Sequence, residues 1–254
     1  IYNVDLFDKY GLYLAAEPDE DTGDILISTK NPIKSVGPDG VADTPDDGLP
    51  RTYEEFFALC FEINQKGINP LCWPGQFRQQ HVLLLMENLM VNQEGAEQAL
   101  LNFTLDGTAT NLIQFDGNGN ILFNEDGTPK TESLAITSAN GYELSRKESE
   151  YYAMQFMEEL LSNTDYYNEA DCFGNTTHLE MQQKFLENGI TNNRRANAML
   201  VDGVWWEREA TPTFDRMTKD DESMSKMNRR FGWMPLPQAT EEDAAAIANG
   251  TKKS

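Results

Sequence analysis

The sequence predicts an α/β domain, a central mixed sheet flanked by helices, and three observations carry that prediction. Stretches with apolar residues at helical spacing alternate along the chain with apolar stretches of four to seven residues, too short for helices. Helix-start signals precede several of the former, and clusters of Gly, Pro and Asp punctuate the boundaries. The chain has 254 residues, of which 39% are hydrophobic and 10% aromatic, enough to close one large core. No internal repeat and no long low-complexity segment interrupts it.

The opening "IYNVDLFDKYGL" reads as a strand end followed by a short helix, with Leu6, Phe7 and Tyr10 on one face and Gly11 as the stop. Residues 17–50 turn to Asp, Gly and Pro around one brief strand, "DILIST", and form an acidic insertion outside the core. The insertion closes at "DDGLPRTYEEFFALC". There Thr52 caps a helix, Glu55 completes a capping box, and Phe56, Leu59, Cys60 and Ile63 make the apolar stripe. "GINPLCWPGQF" is a buried strand ended by Pro74 and Gly75, with helices to follow at about 76–91 and 93–102. "NLIQFDGNGNILF" predicts a β-hairpin at about 111–124, turning at "DGNGN". Tyr151, Tyr152, Phe156, Met157, Leu160 and Leu161 mark a helix over about 146–162; Met181, Phe185 and Leu186 mark another that ends near Gly189. "ANAMLV" and "FGWMPLP" are the last strands.

Charge excludes some functions. Lys and Arg number 20 against 42 Asp and Glu, a net charge of −22, which disfavours nucleic acid and anionic lipid as partners. The longest apolar run, "VLLLM" at 82–86, is far short of the roughly 20 residues that span a bilayer. Cys60, Cys72 and Cys172 are odd in number and form no CxxC; they read as buried thiols, with one disulfide left open.

Catalytic signatures find no anchor. A glycosidase needs two carboxylates about one bond, but among 42 acids any pair can be nominated. A Ser-His-Asp or Cys-His nucleophile would use His81 or His178, and neither lies in a nucleophile motif. His81, inside an apolar helix, reads as a hydrogen-bonded structural residue. Phosphate loops of the G-x-x-x-x-G-K-[ST] or G-x-G-x-x-G type are absent from the sequence. No enzymatic activity and no organic cofactor are expected. The loop "GPDGVADTPDDGLP" places Asp39, Asp43, Asp46 and Asp47 among glycines, a setting in which calcium is the cation to consider, although the spacing departs from the EF-hand loop and Asp and Gly are ordinary turn formers.

The tryptophans say more. Trp73, Trp205 and Trp233 fall at strand ends or in the turns just after them, where open α/β sheets form their ligand crevice. An indole there suits the C–H face of a sugar ring, while Gln76 and Glu207 supply polar neighbours for hydroxyls. A lone tryptophan is more often core. Trp205 and Trp206 are adjacent, however, and a strand sends adjacent side chains to opposite faces, so at least one of the pair faces away from a single core.

Four segments, in order, resemble the carbohydrate-binding group of extracellular solute-binding proteins of bacterial ABC importers, which includes maltose-binding protein. "IYNVDLFDKYGL" resembles the "iYNkdLf..yGl" entry to that group's second lobe. "DDGLPRTYEEFFALCFEINQKGINPL" is similar to its "P.TweEf" helix and strand, "MQQKFLENG" with "ANAMLVDGVWWE" to its "F..G..am...G.w" stretch, and "FGWMPLP" to its "g..plP" strand. The resemblance implies a periplasmic-binding-protein-like fold of type II, a single lobe covering residues 1–254, the C-terminal lobe of a two-lobe protein that closes on its ligand. It implies a carbohydrate ligand stacked on Trp205, with Trp206 beside it, and a first cleft loop on Trp73, Pro74, Gly75 and Gln76; with Glu207 from the reading of the residues above, Trp73, Gln76, Trp205 and Trp206 are the expected ligand-binding residues. It also implies delivery to importer membrane subunits, a monomer, and an extracellular or cell-envelope location with a lipid anchor. Departures are the length of residues 17–48, the stretch 163–178 and the aspartate loop. Arg194, Arg195 and Arg208 near the cleft elements leave a charged ligand open. A carbohydrate-active hydrolase and a calcium-dependent surface module are the competing classes.

Overall fold

A computed structural model describes residues 1–187 and 195–252. The chain is a mixed α/β structure. Strand β1 (Tyr2–Asn3) runs directly into helix α1 (Val4–Tyr10). Asn3 caps that helix by accepting from the Leu6 N–H at 3.0 Å, and Gly11 ends it at φ 62°. Helix α2 (Tyr53–Gln65) begins where Thr52 accepts from the Glu55 N–H at 3.2 Å. The reciprocal half of the capping box is displaced by one residue: Glu55 accepts from the Arg51 N–H at 2.6 Å and also grips the Arg51 guanidinium.

Strand β2 (Asn69–Cys72) leads through a single 3₁₀ turn to helix α3 (Arg78–Thr104). The two helices expected at 76–91 and 93–102 are joined in α3, which breaks at Gly95 (φ 78°, ψ 161°). Strands β3 (Gly107–Ile113) and β4 (Thr131–Ile136) form a separate antiparallel ribbon over a small core of Leu101, Ala109, Leu112, Ile136 and Leu144. Between them the chain makes two tight turns, bridged at Phe115–Ile121 and Phe123–Pro129. In the first, Asp116 accepts from the N–H groups of Asn118 and Asn120, which is why "DGNGN" turns there.

Helix α4 (Glu148–Ser162) packs on α3, with the ammonium of Lys147 and the carboxylate of Glu94 buried together at 2.9 Å. The short α5 (Glu169–Cys172) and α6 (His178–Glu187) follow; the helix end expected near Gly189 lies outside the described residues. Strand β5 (Asn197–Leu200) is succeeded by α7 (Trp206–Glu209), α8 (Thr211–Asp220), strand β6 (Phe231–Gly232) and α9 (Glu241–Ala248). "FGWMPLP" joins the sheet only at Phe231 and Gly232; Pro235 and Pro237 lack the N–H a ladder needs. "DILIST" makes one isolated bridge, Leu26 to Leu14, rather than a strand; Leu26 is buried in the main core, and its N–H, on the side away from Leu14, donates to Asp24 at 2.8 Å.

The main sheet has the order β2-β5-β1-β6. β2 and β5 are parallel, and every residue of both is buried, as expected of strands covered on both faces. β1 is antiparallel to both β5 and β6, so β5 and β6 run the same way. The carboxyl ends of β2, β5 and β6 therefore all emerge at one end of the sheet. All three cysteines are free thiols and buried, so the disulfide left open by the sequence is not formed.

Candidate functional site

At that end of the sheet a groove of about 400 Å³ opens between three segments. The exit of β5, from Leu200 to Trp205, forms one side; the segment Trp233 to Pro237 after β6 forms another; Leu84, Leu85 and Asn88 of α3 form the third. Leu71, Met199, Phe56 and Phe156 reach it from the core. Its lining is almost wholly apolar, with Asn88 and Asp202 as the polar side chains. Two half-exposed indoles stand at its mouth, Trp205 at 51% and Trp233 at 57%.

The adjacent tryptophans diverge as expected, though for a different reason. Trp205 and Trp206 lie at the start of the helical turn α7 rather than on a strand, and successive residues of a helix point about 100° apart. Trp206 turns inward, 2% exposed, against Phe185 and Phe231 at 5.8 and 5.0 Å between ring centroids. Trp205 turns out over Gly203: a Cβ on that glycine would come within 2.3 Å of the indole Cη2.

The first cleft loop is placed otherwise than the resemblance implied. Trp73 is 1% exposed and packs against Tyr167 and Phe173, at 4.9 and 5.9 Å. A ring without surface cannot stack on a ligand, so Trp73, like Trp206, belongs to the core. The cover is the long stretch 163–178. Leu71 bridges Tyr167, Gln76 donates its N–H to the Thr176 carbonyl at 3.0 Å, and Gly75 is so close to the Asp171 and Gly174 carbonyls that a Cβ would clash at 2.4 and 2.6 Å. Gln76 is exposed but does not line the groove. Glu207 is outside it too, paired with Lys226 at 2.5 Å.

Asp202, which sequence reasoning passed over in favour of its neighbours, is the acid that does face the groove. Its Oδ1 accepts from the Gly203 N–H at 2.7 Å and its Oδ2 from Gln182 Nε2 at 3.0 Å. Gln182 is fully buried and its amide nitrogen also donates to Glu209 at 3.0 Å. His81 ties α3 to the same exit through Nδ1, 2.9 Å from the Val201 carbonyl; a carbonyl only accepts, so Nδ1 carries the proton. This is the structural histidine the sequence suggested. The signal for Asp202 was its place in "VDGVWWE", between the strand and the exposed ring.

The arginines do not converge on the groove. Arg195 sits at the opposite end of the strands, donating to the Asn64 and Ile68 carbonyls at 3.0 and 3.1 Å. Arg208 is exposed and does not line it, and Arg194 lies outside the described residues. In the aspartate loop, Thr44 Oγ1 lies 2.7 Å from Asp46 Oδ1 and 3.3 Å from oxygens of Asp39 and Asp47, while the Asp43 N–H donates to Asp47 at 2.8 Å. Among the described residues, no three His, Cys, Asp or Glu side chains are grouped to hold a metal ion.

The fold and site define an α/β protein with an apolar, tryptophan-rimmed groove at the carboxyl ends of its strands. No protein-family model, curated protein or solved structure matches the chain.

Proposed function

We propose that the chain is a ligand-binding lobe of the extracellular solute-binding type, with the type II periplasmic-binding-protein architecture, and that its groove takes a sugar or oligosaccharide for delivery to the membrane subunits of an ABC importer. One observation carries the reading: Trp205 and Trp233 stand half-exposed on two sides of a single groove at the carboxyl ends of β5 and β6. Leaving two indoles in water forgoes apolar burial that a ligand's ring restores. The groove position also agrees with the crevice rule for open sheets.

The composition of the lining favours binding over hydrolysis. Among the described residues Asp202 is the single carboxylate of the lining, and the two-carboxylate mechanism needs a second on the far side of the bond. In this reading the protein works outside the cytoplasmic membrane, as a monomer, and its chemistry is stacking and hydrogen bonding alone.

The test is calorimetry with a panel of neutral oligosaccharides against the unsubstituted chain, Trp205→Ala and Trp233→Ala. Each substitution should weaken binding by about 2 kcal/mol, the effect of removing a desolvated aromatic anchor. Binding that ignores both substitutions would remove the groove from the function.

A further inference from the structure

Resting on the ligand-binding reading above, we propose that Asp202 sets the charge of the ligand: the groove admits uncharged and cationic sugars, amino sugars foremost, and rejects uronic acids and sugar phosphates.

Among the described residues Asp202 is the one ionisable side chain on the groove surface, and no Lys or Arg lines it. Its carboxylate is held from behind. Gly203 and Gln182 each occupy one lone pair on a different oxygen, leaving the others for donors that enter the groove. Gln182 is buried, and its two amide hydrogens are shared between Asp202 and Glu209, so the carboxylate is fixed in direction and has a second acid behind it. A hydroxyl or an ammonium satisfies an acceptor of that kind. A carboxylate or phosphate in the same place meets like charge between Leu, Pro and Trp side chains that offer it no donor of opposite charge.

The surrounding cations do not reverse this. Arg195 is at the far end of the strands, and Lys226 is committed to Glu207. The Ile1 nitrogen borders the groove but is spent on the Leu200 carbonyl, to which it donates at 3.0 Å. The two exposed indole faces reinforce the preference, since an aromatic face attracts a cation.

The experiment uses three matched probes, p-nitrophenyl glucosaminide, glucoside and glucuronide, whose common aryl group fits the apolar lining and whose sugars are cationic, neutral and anionic. Calorimetry at mildly acidic pH, where the amino sugar is protonated and the uronic acid ionised, should rank them in that order, the glucuronide at least about tenfold weaker than the glucoside. In Asp202→Asn the three should fall within about threefold of one another. A glucuronide that binds as tightly as the glucoside overturns the proposal, and so does a charge order that survives in Asp202→Asn. Absence of binding by all three at millimolar concentration overturns it as well. The order in the unsubstituted chain is decisive even where the variant misfolds. Trp205→Ala separates the two levels: probes that bind it unchanged are outside the groove and sink the ligand-site reading, whereas probes that need Trp205 but ignore charge sink only the role of Asp202.

Discussion

The six-membered ring of the Trp205 indole lies against Gly203, so close that a Cβ there would meet Cη2 at 2.3 Å and Cζ2 at 2.4 Å. Only glycine leaves room for the ring, and so the residue two before the tryptophan sets where it stands. Gly203→Ala should swing the indole off the groove wall. A red shift of tryptophan emission and a loss of ligand affinity on the order of tenfold are the expected readouts, with stability changed by less than about 1 kcal/mol because the site is at the surface.

The Lys147–Glu94 pair is buried on both sides, and Lys147 also donates to the Gln98 carbonyl at 2.7 Å while Ser149 donates to Glu94 at 3.2 Å. Lys147→Met leaves an unpaired buried carboxylate. Urea denaturation should show a loss of about 3–5 kcal/mol, and the double variant Lys147→Met with Glu94→Leu should recover much of it. A double variant no more stable than the single would show that the pair itself, not the orphaned charge, is what α3 and α4 need.

Glu148 begins α4 in partly buried surroundings, and burial, then the nearby Asp243 carboxylate, pushes its pKa up against the opposing pull of Lys252. A carboxyl whose folded-state pKa exceeds its unfolded value contributes stability while protonated and loses that contribution as pH rises through the folded value. Glu148→Gln should therefore raise the melting temperature at neutral pH and leave it nearly unchanged below the ordinary carboxyl pKa. Equal shifts at both pH values would show that charge is not the cause.

The three thiols are buried, and burial pushes Cys60 and Cys72 well up and Cys172 to about 12. The thiolate is the reactive form. Labelling by Ellman's reagent at mildly alkaline pH should proceed at the rate of unfolding, and all three should react at once in guanidinium chloride. Fast labelling of one thiol in the native protein would locate a local opening.

Much of the framework was legible in the sequence because it is encoded locally. The cap at Thr52, the stop at Gly11, the turn at Asp116 and the stripe of Phe56, Leu59 and Ile63 each depend on a few neighbouring residues. Half of the site was legible in the same way. "VDGVWWE" showed that one tryptophan must leave the core, and the structure adds which one, Trp205. The strand expected at "DILIST" is reduced to a single bridge to Leu14, held by the Ala15–Ile25 and Ile27–Tyr13 backbone hydrogen bonds. The first cleft loop failed because nothing in "CWPGQF" reveals that residues some hundred positions later lie across it.

By itself, then, the amino-acid order determined the element types, their ends, the buried thiols and the presence of an outward-facing ring, all set by spacing and short-range hydrogen bonds. Only the tertiary structure decided that Trp73 is sealed by the stretch 163–178, that Trp233 joins Trp205 across one groove, and that Asp202 is the acid facing it. Those outcomes depend on which strand ends the sheet order brings together, and β2, β5 and β6 are far apart in the chain, so their meeting is a property of the packed core that no local pattern contains.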